Sequence, residues 1–151
     1  MQIVDFRPEL AGAFRALNEA WITRLFALEA KDHEVLADPA GRIVAPGGYV
    51  FFALDGPEPV GCCALMALAD GGFEVAKMAV ADSHKGRGLG RALMAACVER
   101  ARQLGAPRLY LETNSGLAPA LGLYRSFGFV EIVPPAPSPY ARADVIMELR
   151  L

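Results

Sequence analysis

Six consecutive residues carry the clearest chemical signal in this chain: Lys85-Gly86-Arg87-Gly88-Leu89-Gly90. They follow an apolar strand-like stretch and a short polar turn, and run straight into a segment of helical period. Leu89, Leu93, Ala96 and Leu104 recur there at helical spacing, with Arg91, Glu99, Arg100 and Arg102 at the polar positions. Gly105 and then Pro107 end the pattern, the usual order at a helix C-terminus. A strand, a glycine loop and a helix N-terminus make a site for an anion. Unpaired backbone N–H groups and the positive end of the helix dipole face the ligand, and glycines let it approach the main chain. Two common nucleotide fingerprints fail on particular residues. No G-x-x-x-x-G-K-[ST] run occurs, and a G-x-G-x-x-G pattern starting at Gly86 would need Gly or Ala where Arg91 stands.

The elements that must position this loop come from a chain of 151 residues, one domain on a prior of roughly 100–200 residues per domain. A chain of this size hides about 70% of its unfolded surface, enough for a real core. With 54% hydrophobic and 21% charged residues it reads as a folded globule. A net charge of −2 leaves no electrostatic footprint for nucleic acid, while Lys85, Arg87 and Arg91 form a small basic site on a mildly acidic protein. That contrast suits a polyanionic small molecule. Cys62, Cys63 and Cys97 read as reduced thiols packed like small apolar residues, and no Cys/His spacing calls for a metal. No secretion signal or membrane-spanning run stands out, so the expectation is a cytoplasmic protein without membrane or nucleic-acid partners.

In chain order the pattern predicts a strand at Ile3–Phe6 and a helical region from Pro8 to about Ala30, either one helix or two with a break at Asn18. Lys31–Asp38 reads as helix or turn. Strands follow at Tyr49–Leu54, Pro59–Leu68 and Phe73–Val80, separated by the hairpin signals Asp55-Gly56-Pro57 and Asp70-Gly71-Gly72. After the long helix come a strand at Arg108–Thr113, a short helix at Ala118–Ser126 and strands at Phe129–Val133 and Val145–Leu149. The proline-rich run 134–139 between the last two reads as loop. Nothing repeats and no linker divides residues 1–151.

Met78-Ala79-Val80, the loop Lys85–Gly90, Tyr110–Asn114 and Gly122–Phe129 (GLYRSFGF) together resemble consecutive motifs of the Gcn5-related N-acetyltransferases, the GNAT family. Gly88 and Gly90 match the small positions of its [QR]-x-x-G-x-[GA] loop, and Lys85 departs from Gln or Arg while keeping a positive charge. Trp21-Ile22, Leu28-Glu29, Asp32 and Leu36–Pro39 also look like bacterial members of unassigned substrate. The resemblance implies an α+β fold: one mixed, mostly antiparallel sheet of six to seven strands, about four flanking helices and splayed middle strands. It implies acetyl-CoA as cosubstrate, held by Met78, Ala79, Val80, Lys85, Gly86, Arg87, Gly88, Leu89, Gly90, Arg91, Asn114 and Tyr124, with no metal. The implied reaction is direct acetyl transfer to a primary amine of a small molecule, peptide or protein. Tyr124 is implied as the acid that protonates the departing thiolate, and Glu74 as the base acting through water. An apolar surround would raise the Glu74 pKa toward the working range, and Glu112 competes for that last role. Glu29, Asp32 and Glu34 are candidates to attract a cationic acceptor, and Tyr140, Arg142 and Asp144 to line its entrance. The competing reading is a non-catalytic coenzyme A sensor or interaction module of the same fold; monomer and homodimer both remain open.

Overall fold

A computed structural model describes residues 1–134 and 136–151. Seven strands form one sheet: β1 (Gln2–Asp5), β2 (Tyr49–Asp55), β3 (Glu58–Ala67), β4 (Phe73–Val80), β5 (Arg108–Thr113), β6 (Val130–Glu131) and β7 (Val145–Arg150). Their spatial order is β1-β2-β3-β4-β5-β7-β6, and every pairing is antiparallel except β4 with β5. Four α-helices accompany them: α1 (Ala11–Leu25), α2 (Ala30–Ala37), α3 (Leu89–Gln103) and α4 (Ala118–Ser126). No helix among the described residues is long and apolar enough to cross a membrane.

The sheet is apolar on both faces because its central strands are. One core joins Phe51, Cys63, Leu65 and Val75 to Leu93, Met94 and Cys97 of α3. The other joins Val50, Phe52, Cys62 and Ala64 to Phe14 of α1 and Val35 and Leu36 of α2. Alternation along β2 and β3 sends neighbouring residues to opposite cores. All three cysteines are free and buried.

The sequence-predicted break at Asn18 lies elsewhere. Asn18 is buried in the middle of α1, where its amide donates to the Phe14 carbonyl at 2.9 Å and its oxygen accepts from Trp21 Nε1 at 3.2 Å. A satisfied side chain of this kind leaves the helix intact. The chain turns at Phe26–Glu29, and α2 begins with a capping box in which the Glu29 N–H donates to Asp32 at 2.9 Å. One element goes unread in the sequence and two further expectations shift. A π-helical turn over Ala40–Val44 precedes β2. Leu104, read as part of the apolar stripe, caps α3 with 49% of its surface exposed, since Gly105 at φ 71° ends the helix there. The predicted strand Phe129–Val133 shrinks to Val130–Glu131, because the prolines that follow cannot extend the ladder. Of the predicted loop 134–139, residue 135 lies outside the described residues.

Two irregularities open the sheet. β4 and β5 pair at only two positions, Phe73 with Leu109 and Glu74 with Tyr110, and then diverge. Opposite Cys63, β4 carries an extra residue, so that Cys62 pairs with Ala79 but Ala64 with Ala76. Lys77 sits in this bulge with φ 54°, the only non-glycine residue of positive φ among the described residues. Before the bulge Phe73 and Val75 belong to the α3-side core; beyond it Ala79 belongs to the opposite core, while Met78 and Val80 pack toward α3.

Candidate active site

The opening between β4 and β5 is a cavity of about 570 Å³. Its lining takes in β4 from Glu74 to Val80, Glu112 and Thr113 of β5 with Asn114 just after it, Leu123 and Tyr124 of α4, and Trp21, Arg24, Leu25 and Phe26. From Val75 onward the β5-facing edge of β4 has no strand partner.

At one end lies the glycine loop. Gly86 and Gly88 adopt φ 77° and 78°, and a Cβ added at either would meet nothing within 4 Å. Gly90 is closer to its surroundings, facing Leu123 and the Met78 sulfur. Among the described residues no side chain caps α3, whose N-cap is Gly88. The loop's main-chain donors from Gly86 onward have no acceptor among the described residues and stand at the positive end of a 15-residue helix, which is what an anion requires. Lys85 lines the cavity but shares its charge with Asp82 at 2.9 Å, which also accepts from Arg24 at 2.6 Å. Arg87 and Arg91 are exposed, and Arg91 lies over the Phe127 ring at 5.4 Å. The left-handed backbone at Gly88 makes Gly88→Ala costly: about 1 kcal/mol of folding stability is expected to be lost, read as a lower urea midpoint at unchanged slope. Unchanged stability would show that the loop does not need that conformation.

Deeper in, Glu74 and Glu112 both line the cavity, in different states. Glu112 is tied at both oxygens, accepting from Tyr110 Oη at 2.8 Å and Ser138 Oγ at 2.6 Å. Glu74 has no hydrogen-bond donor among the described residues. Burial, with the Glu112 charge second, pushes its carboxyl up to about 7. Tyr124 lines the same cavity from α4, its ring tilted against Phe129 at 6.1 Å. Burial raises its phenol above the usual tyrosine range, so it stays protonated at neutral pH. Asn114 ends β5 with its amide donating to the Arg142 carbonyl at 2.7 Å and its oxygen accepting from the Gly116 N–H at 2.8 Å. It thereby joins the end of β5 to the segment before β7.

Beside Glu74 stands a buried ionic cluster. Lys77 Nζ donates to Asp32 at 2.6 Å and to Tyr140 Oη at 3.1 Å. Arg142 grips Asp32 with two 2.7 Å hydrogen bonds and reaches Glu29 at 3.3 Å. Both cations also lie over the Tyr140 ring, at 4.4 and 4.5 Å. Burial is the largest influence on Asp32 and pushes its pKa up, but Arg142 and Lys77 together reverse it and hold the carboxyl far below the usual range. Asp32 and Glu29 are consumed by this cluster and are not free to attract a substrate amine; Glu34 is exposed and 3.8 Å from Lys31. Of the entrance residues, Tyr140 and Arg142 line the cavity, whereas Asp144 accepts from the Ser115 N–H and hydroxyl. Lys77 was missed in the sequence reading. One signal was available: the alternation Phe73, Val75, Lys77 marks the lysine as buried, although the bulge turns it to the α2 side, away from Phe73 and Val75.

These features match a known family. The model of the acetyltransferase (GNAT) family matches residues 10–129. The chain is 31% identical over 104 residues to the uncharacterized N-acetyltransferase YvbK of Bacillus subtilis, a match covering 67% of each protein. Matches to other curated relatives span only 26% to 52% of those proteins' length. Among solved structures, a GNAT acetyltransferase from Staphylococcus aureus Mu50 superposes with TM-score 0.89 at 16% identity, covering 99% of this chain and 98% of the other. YncA of Salmonella typhimurium, solved with its cofactor acetyl-CoA, superposes with TM-score 0.76 at 20% identity, covering 99% and 93%. This chain belongs to the GNAT acetyltransferase family.

Proposed function

We propose that this protein transfers an acetyl group from acetyl-CoA directly to a primary amine. The observation that carries the reading is one cavity that runs from Lys85, the first residue of the glycine loop before the uncapped start of α3, to Glu74 and Tyr124. Family membership and the acetyl-CoA found in the YncA structure support the choice of cosubstrate.

Acetyl-CoA supplies an acetyl group activated as a thioester. The chain's own residues do the rest. Main-chain amides of residues 86–91 hold the diphosphate, with Lys85, Arg87 and Arg91 adding positive charge, and the unpaired edge of β4 through Met78, Ala79 and Val80 aligns the extended arm. Asn114 braces the opposite wall. An aliphatic amine with a pKa near ~10 arrives as ammonium, so a base must take its proton before nitrogen can attack. Glu74 is that base, and Tyr124 gives its phenolic proton to the departing sulfur.

A base works only when deprotonated, so the rate under subsaturating amine should rise with pH through about 7, the region where Glu74 titrates. In Glu74→Gln that limb should vanish and kcat fall by about 100-fold. An unchanged pH profile would hand the role to Glu112 or to water alone. The reading as a whole is tested by coenzyme A release against an amine panel. A protein that binds acetyl-CoA and acetylates nothing would instead be a coenzyme A sensor.

A further inference from the structure

Resting on that reading, we propose that the acceptor is an aminocarboxylate: its amine lies at Glu74, and its carboxylate is received by Lys77, Tyr140 and Arg142. The argument is a count of donors. Lys77 has three N–H donors, of which Asp32 and Tyr140 take two. Tyr140 Oη accepts from Lys77, and its own proton has no acceptor among the described residues. Arg142 has five N–H donors; Asp32 and Glu29 account for three, leaving Nε and one Nη2 hydrogen. All three residues line the cavity. Asp32, which with Glu29 balances the two cations, is fully buried and does not line the cavity.

The wall therefore turns its acids inward and presents unused donors to the substrate. A carboxylate is the substrate group that can accept from several such spare donors at once. Tyr140 lies against both cations, so the donors are held before anything binds, and little ordering remains to be done on association. Next to these donors, Glu74 is a cavity carboxylate without a donor of its own among the described residues. A substrate with a donor at one end and an anionic acceptor at the other matches this polarity. The second ammonium of a polyamine would meet only donors at Lys77 and Arg142 and find no acceptor there.

The test uses α-, β- and γ-amino acids paired with the alkylamines that lack their carboxylate. At least one acid should exceed its partner amine by tenfold or more in kcat/KM. The same acid should bind the coenzyme A-loaded protein more tightly than its amine by calorimetry, a readout that needs no turnover. In Tyr140→Phe, which keeps the ring between the cations but removes the free hydroxyl, the acid-to-amine ratio should fall at least fivefold. Equal handling of acids and amines in both assays would overturn the proposal, as would polyamines outperforming every acid. Acid-selective binding without acetylation of any amine would support the carboxylate site and count against the transfer reading.

Discussion

Tyr124→Phe should lower kcat by about 100-fold or more while leaving coenzyme A affinity within about twofold, since a positioned general acid contributes roughly 100- to 10,000-fold. The substitution removes one oxygen. The ring keeps its place against Phe129 and in the α3-side core, so the fold is not expected to suffer. Tyr124 Oη makes no hydrogen bond to the described residues, which leaves its proton available to a ligand, and the raised pKa keeps that proton in place until it is needed. Because the loss falls in the transition state alone, kcat and kcat/KM should drop together. Steady-state kinetics beside calorimetric coenzyme A binding would check this. A full kcat in the phenylalanine variant would remove the tyrosine from the chemistry.

The largest stability effect belongs to Asp32. Asp32→Asn keeps the shape of the side chain but strands Lys77 and Arg142 in a buried cluster, and breaking such a pair costs about 3–5 kcal/mol. Against a typical domain stability of about 5–15 kcal/mol, this is enough to unfold a fraction of the molecules at physiological temperature. Adding Lys77→Met to Asp32→Asn should recover part of the loss, because one of the two stranded cations disappears. Urea unfolding of the wild type, both single variants and the double variant would give the coupling. A loss below about 1 kcal/mol in Asp32→Asn would mean that the cations find water instead. The sign of the pH dependence follows from the depressed carboxyl. Its contribution is complete above the unfolded-state value of about 3.9 and is lost as pH falls through the lower folded-state value, so this cluster resists all but strong acid.

How much of this was legible in the chain varies with how local the cause is. β4, β5 and α4 were bounded correctly at Phe73–Val80, Arg108–Thr113 and Ala118–Ser126, because alternation, a glycine-rich turn and an N-terminal proline are all short-range signals. The glycine loop was legible for the same reason. The break between α1 and α2 was not: Trp21, Leu25 and Leu28 keep helical spacing straight across it, and the capping box that restarts the helix uses Glu29 and Asp32 in place of the usual Ser or Thr. The ionic cluster was the hardest to see. Asp32 and Arg142 stand 110 positions apart, and only the return of the chain to β7 brings them together. Their types hinted at surface charge, whereas the fold makes them mutual partners in the interior. Glu74 and Glu112 could not be ranked without the structure, since their difference rests on Tyr110 and Ser138 reaching one and not the other.

The short seam between β4 and β5 has a mechanical consequence. Two rungs are all that laces one half of the sheet to the other, so a molecule lying along the unlaced edge completes the fabric as well as occupying it. Occupancy and rigidity then become one quantity: whatever tightens the ligand's hold also stiffens the join, and heat that loosens the join must first evict the ligand.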